Sequence, residues 1–364
     1  MDSETQKLEA LGYDWVVEAS RLSLGLDRSQ LARVVSEHKG SYIVRNEEGE
    51  YRAQVTGKQI FTASRRADFP AVGDWVAIEA LPEGKAVIEQ VLPRKTILKR
   101  KHSGGDEIQI IGTNIDVAFV VESFDRDYNL NRIERYFAIA EDGGIMPAII
   151  MTKIDLITKE ELATKIVELT SRFPGADIIP VSTKTDEGLA LLHAKLERGK
   201  TYCFVGSSGV GKSSLINALR GGEGIKVGAI GVHSLRGKHT TTARTMYFLD
   251  QGAIVVDNPG MREVGITDTK EGVEDLFDDL TELSYTCKFV DCTHVKEPGC
   301  KIREALSSGV LEEGRYRNFV ALQKEAAFFE LSELEKRAKD RQFGKFIKKA
   351  KDGLKRTGHK DYGG

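Results

Sequence analysis

Residues 206–213 read Gly-Ser-Ser-Gly-Val-Gly-Lys-Ser, and this stretch decides the fold expected for the chain. It lies between an apolar run, Thr201–Val205, and a helix-forming run, Lys212–Leu219. A strand, a loop and a helix in this order are the context in which G-x4-G-K-S binds phosphates. Glycines let the backbone point its N–H groups at a phosphate, and the helix N-terminus adds partial positive charge. The stretch therefore predicts a nucleoside triphosphate site on a parallel α/β sheet.

Each residue of this phosphate loop has an expected role. Lys212 is expected to neutralise the β- and γ-phosphates and to serve catalysis, and the Ser213 hydroxyl is expected to ligate Mg²⁺. The other residues are expected to surround the phosphates with their backbone: Gly206, Ser207, Ser208, Gly209, Val210, Gly211 and Ser214.

A second motif, Thr152-Lys-Ile-Asp155, ends another apolar run and is suited to reading a guanine base. The Asp155 carboxylate is able to accept hydrogen bonds from both N1–H and the N2 amine of guanine. Adenine offers no such pair of donors, so this residue favours GTP over ATP. Lys153 is expected to cover one face of the base. Thr152 stands where asparagine is usual, a change expected to weaken a supporting hydrogen bond.

A third motif, Ser182-Thr183-Lys184, is expected to supply a backbone N–H to the guanine O6. In ordinary GTPases both base-reading motifs follow the phosphate loop. Here they precede it, and the remaining motifs follow in the usual order. The sequence therefore predicts a GTPase domain whose chain is circularly permuted.

The magnesium side of the site is expected at Asp257-Asn-Pro-Gly260, directly after an apolar run. Asp257 would hold Mg²⁺ through water, and the Gly260 amide would sense the γ-phosphate. A plain turn is the alternative for these residues, since Asn-Pro-Gly is good turn chemistry. Before them, Gly237–Ala243 contains three threonines, and Thr241 or Thr242 is expected to reach Mg²⁺ when the γ-phosphate is present.

The residue that orients the attacking water is the least obvious part of the site. Met261 stands where many GTPases have glutamine, and it has no suitable donor or acceptor. His239 is the nearest candidate, because a neutral imidazole is able to orient water; an exposed loop histidine without a role is the alternative. We expect slow basal turnover that a partner raises by ordering the site. Nearby Arg236, Lys238, Arg244 and Arg262 would stabilise charge or contact a polyanion.

Three cysteines and one histidine lie within a short stretch near the C-terminus. Cys287, Cys292, His294 and Cys300 together supply three thiolates and one imidazole. This set forms a closed tetrahedral site, which is typical of structural zinc. Cys203 lies in the strand before the phosphate loop and is expected to be a buried apolar residue.

The remaining sequence predicts the domains that flank the GTPase domain. Five short β-rich runs between residues 31 and 98 predict an antiparallel barrel of the OB-fold class, with packing on the neighbouring domain as the alternative to nucleic-acid binding. Charged helices surround and follow the cysteine cluster. We expect an N-terminal extension (1–32), the barrel (33–100), the permuted GTPase domain (101–268) and an α-helical zinc-binding domain with a basic tail (269–364).

Composition and charge limit the classes of function. The 53 basic and 55 acidic residues nearly cancel, but Lys336–Lys360 is locally basic. That segment, with Phe328, Phe329, Phe343 and Phe346 in a predicted helix from Tyr316 to Phe346, fits contact with RNA, a solvated helix being the alternative. No apolar run approaches the length of a membrane span. The polar, acidic start lacks the features of a secretory signal, so we expect a cytoplasmic protein.

On these motifs, the chain resembles the RsgA family of circularly permuted GTPases in small-subunit ribosome biogenesis. The resemblance rests on the barrel, the rotated motifs, the G-x-H-T-T-T run at 237–242 and the C-x4-C-x-H-x5-C cluster. It implies Mg²⁺-dependent GTP hydrolysis to GDP, one structural zinc ion, and late maturation of the small (30S) subunit as a monomer that binds its rRNA and is stimulated by the subunit. It also implies a role for His239 in hydrolysis. Thr152 and Asn258 depart from the family pattern.

Two rivals to this interpretation remain at the level of sequence. One is an RNA-binding scaffold whose nucleotide site has lost turnover, which Met261 makes conceivable. The other is a metabolic P-loop ATPase or kinase, which the guanine-reading role of Asp155 opposes.

Overall fold

The computed structural model describes residues 3–38, 40–57, 66–101, 108–124, 128–207, 209–220, 244–257, 273–274 and 276–324. Most of the described chain is organised around one long sheet and a separate hairpin. The strands of these residues are β1 (Leu31–His38), β2 (Ser41–Arg45), β3 (Glu50–Val55), β4 (Trp75–Leu81), β5 (Lys85–Val91), β6 (Ile97–Lys101), β7 (Ile108–Thr113), β8 (Val117–Ser123), β9 (Met146–Thr152), β10 (Ile178–Pro180), β11 (Thr201–Val205), β12 (Arg244–Phe248) and β13 (Ile254–Asp257).

The first five strands close into a barrel. β1 pairs with both β2 and β4, β3 pairs with β5 in parallel, and β4 pairs with β5. Alternate residues of these strands point inward because successive side chains of a strand point to opposite faces. They form a closed apolar core that includes Val34, Val44, Val76 and Ile88. The predicted barrel of the OB-fold class is confirmed.

The second half of the long sheet is almost entirely parallel. Its order is β10-β9-β8-β11-β13-β12, and only β12 runs antiparallel to its neighbour. The central strands are buried on both faces, as their unbroken apolar runs predict. β11, which leads into the phosphate loop, lies between β8 and β13. The carboxyl ends of β8, β9 and β11 therefore lie along one edge of the sheet.

Helices cover both faces of this sheet. The helices of the described residues are α1 (Ser3–Glu9), α2 (Trp15–Ser23), α3 (Leu130–Asp142), α4 (Lys159–Arg172), α5 (Leu189–Lys195), α6 (Lys212–Leu219), α7 (Asp278–Ser284) and α8 (Lys301–Ser307), and residues 313–324 are also helical. α4 begins with a capping box, in which Thr158 accepts from the Glu161 amide and Glu161 accepts from the Thr158 amide. The α6 residues Leu215, Ile216 and Leu219 pack on Val255 of β13 in one of the two face cores.

A fully buried arginine fixes the barrel to the parallel sheet. Arg33 of β1 donates to the Gly73 carbonyl at 3.2 Å, to the Asn114 carbonyl at 3.0 Å and to the Thr201 hydroxyl at 3.0 Å, and it also bonds the Leu11 carbonyl. A buried cation is costly unless its donors are satisfied. These contacts therefore define one orientation of the barrel, which is joined directly to the sheet through β1 and β12.

The C-terminal region packs on the helical face formed by α3 and α4. Glu134 of α3 is buried and accepts hydrogen bonds from Arg172 at 2.5 Å and from Asn318. Phe319 is fully buried against Phe277. The described helix 313–324 is therefore part of the core. The phenylalanines and the basic segment predicted to contact RNA lie beyond it, outside the described residues, and that contact stays a prediction.

One element had no sequence prediction, and one predicted helix is described only in part. The hairpin of β6 and β7 was not anticipated, since its short runs carry charged residues and lie next to a domain limit set at residue 100. The acidic helix expected over Lys270–Leu283 is helical at residues 273, 274 and 276 and in α7, with residues 270–272 and 275 outside the described residues. The domain limits at 32, 100 and 268 stay predictions. Among the described residues, no helix is long and apolar enough to span a membrane.

Candidate nucleotide site and metal centre

The phosphate loop has a backbone that only glycine accommodates at its first position. Gly206 has a φ of 145°, and a Cβ placed there would lie 2.2 Å from the Val121 carbonyl oxygen. Gly211, at φ 101°, precedes the first residue of α6. The loop therefore turns sharply from β11 into the N-terminus of α6, where free N–H groups favour an anion.

Lys212 lies folded over this loop. Its ammonium group donates to the Gly206 carbonyl at 2.6 Å and to the Ser207 carbonyl at 2.5 Å. Burial lowers the pKa of Lys212 to about 8, while the charge of Glu122 acts in the opposite direction. Ser213 and Ser214 are exposed in the first turn of α6. The charge expected for the phosphates is thus in place, held by the carbonyls of the loop.

The residues predicted to read the base form a small open cavity of about 230 Å³. Its lining comprises Lys153, Asp155, Leu156, Thr183 and Lys184. Asp155 Oδ1 accepts a hydrogen bond from the Ser182 hydroxyl at 2.7 Å, which lowers the pKa of Asp155 and keeps it ionised. The Ser182 hydroxyl also accepts from the amides of Lys184 and Thr185, both at 3.2 Å. Ser182 therefore orients the carboxylate and shapes the loop beside it.

Thr152 connects the base-reading residues to the phosphate loop. Its hydroxyl donates to the Val210 carbonyl at 2.5 Å and lies 3.1 Å from the Glu122 carbonyl. Threonine, at the position where asparagine is usual, therefore makes a short hydrogen bond to the phosphate loop. Because Thr152 ends β9 and Val210 follows β11, Asp155 and Lys212 lie at the same edge of the sheet.

The magnesium side is described only at its first residue. Asp257 ends β13, and burial raises its pKa while the charge of Arg220 lowers it. The Arg220 guanidinium lies 4.3 Å from the Tyr247 ring centroid. The other residues predicted for this side or for the loop lie outside the described residues: Ser208, His239, Thr241, Asn258 and Gly260.

One buried ion pair beside the site was not identified from sequence. Glu122, at the end of β8, is fully buried and accepts from Arg132 at 2.7 Å and 3.0 Å. Its backbone carbonyl lies next to Thr152. The sequence carried one signal of this buried pair, which was an acidic residue near the end of an otherwise apolar strand.

The four predicted metal ligands converge on one point. The ligand atoms of Cys287, Cys292, His294 and Cys300 all lie within 4.8 Å of one another. His294 Nδ1 is 3.5 Å from Cys300 Sγ and 3.7 Å from Cys287 Sγ, and the two sulfurs are 4.0 Å apart. Zn–S bonds of about 2.3 Å and Zn–N bonds of about 2.0 Å in a tetrahedron require about 3.8 Å between sulfurs and about 3.6 Å from sulfur to nitrogen. The cluster fits a tetrahedral metal ion.

The surroundings support these ligands. His294 has a left-handed backbone (φ 59°), and its carbonyl accepts a hydrogen bond from the Tyr316 hydroxyl at 2.8 Å. Burial lowers the pKa of His294, which favours the neutral imidazole that a metal ligand requires. Cys203 lies apart in β11, and burial raises the pKa of its thiol to about 12, as expected of an inert core residue.

The family and the relatives of the chain agree with this geometry. A sequence model described as RsgA GTPase matches residues 91–267. The small ribosomal subunit biogenesis GTPase RsgA 2 of Lactiplantibacillus plantarum is 40% identical over 333 residues, covering 91% of this chain and 93% of that protein. RsgA of Opitutus terrae is 37% identical, covering 88% of this chain and 90% of that protein.

Two solved structures share the fold. YjeQ from Thermotoga maritima is 31% identical with a TM-score of 0.60, covering 82% of this chain and 98% of that chain. YloQ, described as a circularly permuted GTPase, is 26% identical with a TM-score of 0.57, covering 82% of this chain and 94% of that chain. The order of motifs, the closed barrel and these likenesses lead to one conclusion: the chain belongs to the RsgA GTPase family and is a circularly permuted, GTP-hydrolysing enzyme.

Proposed function

We propose that the chain acts in late maturation of the small (30S) ribosomal subunit, binds its rRNA, and hydrolyses GTP faster when the subunit is bound. The names of the relatives support the role in small-subunit biogenesis. The observation that carries the nucleotide assignment is the bond between Thr152 and Val210, because it joins the base-reading and phosphate-binding residues at one edge.

In this proposal the base end of GTP is read by three neighbouring groups. Asp155 accepts from N1–H and the N2 amine of guanine, and its hydrogen bond from Ser182 keeps it charged and oriented. Lys153 covers the base, and the backbone of Thr183 approaches the O6. Because the lining carries one carboxylate and two lysines, it suits a ring with paired donors on one edge and an acceptor on the other.

The phosphate end is held by the loop and by Lys212. On binding, the Lys212 ammonium leaves the Gly206 and Ser207 carbonyls and turns to the β- and γ-phosphates. Ser213 and Asp257 would hold Mg²⁺, which neutralises charge that develops on the phosphates. The loop amides stabilise the same charge, since they point at it before the reaction begins.

His239 is the residue proposed to orient the attacking water, Thr241 to reach the magnesium ion and Gly260 to sense the γ-phosphate. All three lie outside the described residues. Because Met261 is unable to orient water, turnover without a partner is expected to be slow. The subunit would then raise turnover by ordering this side of the site.

The cysteine cluster is proposed to hold one structural zinc ion. Four protein ligands leave no open position, so the metal would stabilise the fold and take no part in hydrolysis. The barrel and the basic tail are proposed to contact rRNA on either side of the GTPase domain. We further propose a cytoplasmic monomer that exchanges GTP and GDP and does not associate with membranes.

The test of this function is GTP hydrolysis measured against a titration of purified small subunits, with large subunits as the control. We expect slow hydrolysis alone, a marked rise with small subunits, and no rise with large subunits. Lys212→Ala is expected to abolish nucleotide binding and to leave the metal content unchanged, because the two sites lie in different parts of the fold. Equal rates with both subunits, or competition by ATP stronger than by GTP, would contradict the proposal.

A further inference from the structure

The barrel and the nucleotide site share one strand-to-strand joint. β1 is the barrel strand that pairs with β12, and β12 pairs in turn with β13. Ser36 of β1 is opposite Thr245 of β12, and Thr245 is opposite Asp257 of β13. These three residues form a row across the sheet, which we call the joint row. Adjacent strands lie about 4.8 Å apart, so the barrel backbone lies about 10 Å from Asp257.

Side chains reinforce the backbone pairing in this row. The Ser36 hydroxyl donates to the Arg244 carbonyl at 3.1 Å, and it lies 3.3 Å from the Thr245 hydroxyl. Paired residues on neighbouring strands point to the same face of a sheet. The row is therefore joined by side chains as well as by the ladder between β1 and β12.

Arg244 clamps the beginning of β12. It donates to the Ile110 carbonyl of β7 at 2.7 Å and lies 3.7 Å from the Glu37 carboxylate of β1. The side chains of Arg244 and Glu37 are only 16% and 15% exposed, so solvent screens their attraction less than it screens a surface pair. Arg244 is thus engaged within the protein, although the sequence left open a role in contacting a polyanion.

The other end of β1 is fixed as well. Arg33, three residues before Ser36, is buried and bonds the Thr201 hydroxyl at the beginning of β11. β11 leads into the phosphate loop. β1 is therefore attached near its beginning to the phosphate-binding strand and near its end to the strand beside Asp257. Because β1 is held at both ends, a movement of the barrel should also move the strands that carry the nucleotide site.

We propose that β1 couples the barrel to the magnesium side of the GTP site through the joint row, with Arg244 as the positioning residue that clamps β12. Contacts made by a partner on the barrel then shift Asp257, and occupancy of the site shifts the barrel. The proposal rests on the proposed function in one respect, because it assigns Asp257 to the magnesium side. Coupling between two sites is reciprocal, so it is measurable from either end.

The first test works from the nucleotide end and needs no ribosome. Hydrogen exchange of β1 (Leu31–His38) and β2 (Ser41–Arg45) is measured with and without Mg²⁺ and a non-hydrolysable GTP analogue. Couplings of this kind correspond to about 5–150-fold, so we expect the analogue to slow exchange in these strands at least about fivefold. In the double variant Ser36→Ala/Glu37→Gln the slowing should be largely lost, while analogue affinity stays within about twofold of the native value.

A matched control changes the same chemistry elsewhere on the barrel. The variant Ser29→Ala/Glu89→Gln removes an exposed hydroxyl just before β1 and an exposed carboxylate on β5, both away from Ser36 and Glu37, and it should keep the full slowing. If the double variant unfolds, Arg244→Lys replaces it, because lysine keeps the charge but loses the geometry of the clamp. Unchanged exchange in the native chain on analogue binding, or full slowing in the joint variants, overturns the proposal.

The second test works from the partner end and separates this proposal from the proposed function. Hydrolysis stimulated by small subunits should fall at least about fivefold in Ser36→Ala/Glu37→Gln, with basal turnover and subunit binding retained. A native chain that small subunits do not stimulate contradicts the proposed function, and the exchange experiment then still decides the coupling. Loss of subunit binding in the variant would mean that these residues form the contact surface, which also overturns the proposal.

Discussion

Thr152→Val is the substitution that tests the nucleotide site most directly. Valine has nearly the same shape as threonine, so the change removes the hydroxyl and leaves the packing almost unaltered. The lost bond is the one to the Val210 carbonyl at 2.5 Å, in a side chain that is 3% exposed. Because this bond joins the base-reading and phosphate-binding segments, its loss should affect both stability and nucleotide affinity.

The magnitude follows from the burial of the bond. A buried acceptor left without its partner costs about 1–3 kcal/mol. For a domain of this size, each kcal/mol corresponds to about 2–4 °C in Tm, so we expect a fall of about 2–12 °C. If the same free energy is lost on GTP binding, affinity falls about 5–150-fold. Thermal unfolding and the fluorescence of a labelled GTP analogue measure the two effects.

Thr96→Val is the matched control. The Thr96 hydroxyl is also buried, but it lies at the hairpin beside the barrel. It donates to the Ile115 carbonyl and accepts from the Ile115 amide, both at 2.7 Å. We expect a fall in Tm at least as large, with unchanged nucleotide affinity. Thr152→Asn should restore affinity, since the amide is able to make the same bond. If Thr152→Val binds GTP as tightly as the native chain, the argument that this bond positions the site is wrong.

Three further predictions concern the remaining groups. GTP affinity should be highest below pH 8 and should fall as pH rises through about 8. The reason is that burial lowers the pKa of nucleotide-free Lys212 to about 8, whereas the bound phosphates require its charged form. Titration of binding between pH 7 and 9.5 measures this effect, and a flat profile would count against it. Asp155→Asn should weaken GTP binding and favour xanthosine triphosphate, because an amide is able to donate to the C2 carbonyl of xanthine; competition between the two nucleotides decides it. Cys292→Ser should release the metal and unfold the region after residue 283, as metal analysis and limited proteolysis would reveal; retained metal at one ion per chain would refute the ligand set.

Local pattern predicted the elements that carry the phosphate loop with little error. The strand Thr201–Val205 and the helix Lys212–Leu219 have the bounds expected from sequence. Their signals are local, because glycine spacing, an apolar run and a helix start act within a few residues. The hairpin of β6 and β7 had no comparable signal, since β6 carries Lys99, Arg100 and Lys101. The hairpin is bonded by residues distant in sequence, because Ile97 donates to the Gly143 carbonyl and Arg244 donates to the Ile110 carbonyl.

The helical region after the cysteine cluster illustrates the same limit. The helix predicted to contact RNA begins at Tyr316, but the aromatic residues on which that prediction rests, Phe328, Phe329, Phe343 and Phe346, lie outside the described residues. In the fold, Phe319 packs on Phe277, and Tyr316 supports the backbone of His294. Composition does not distinguish an aromatic residue that is buried from one that is exposed, because the difference depends on which helix packs against it.

The identity and order of the motifs were readable from the chain alone, and with them the GTPase class, the permuted topology and the four residues that converge on a possible metal site. These features are readable because phosphate, base and metal sites each require particular residue types at short spacing along the chain. The buried charges and the joint row were not readable, because Arg33 and Thr201 are 168 positions apart and Ser36 and Thr245 are 209 apart. Which distant residues meet depends on how the sheet and the barrel pack, and no local pattern contains that information.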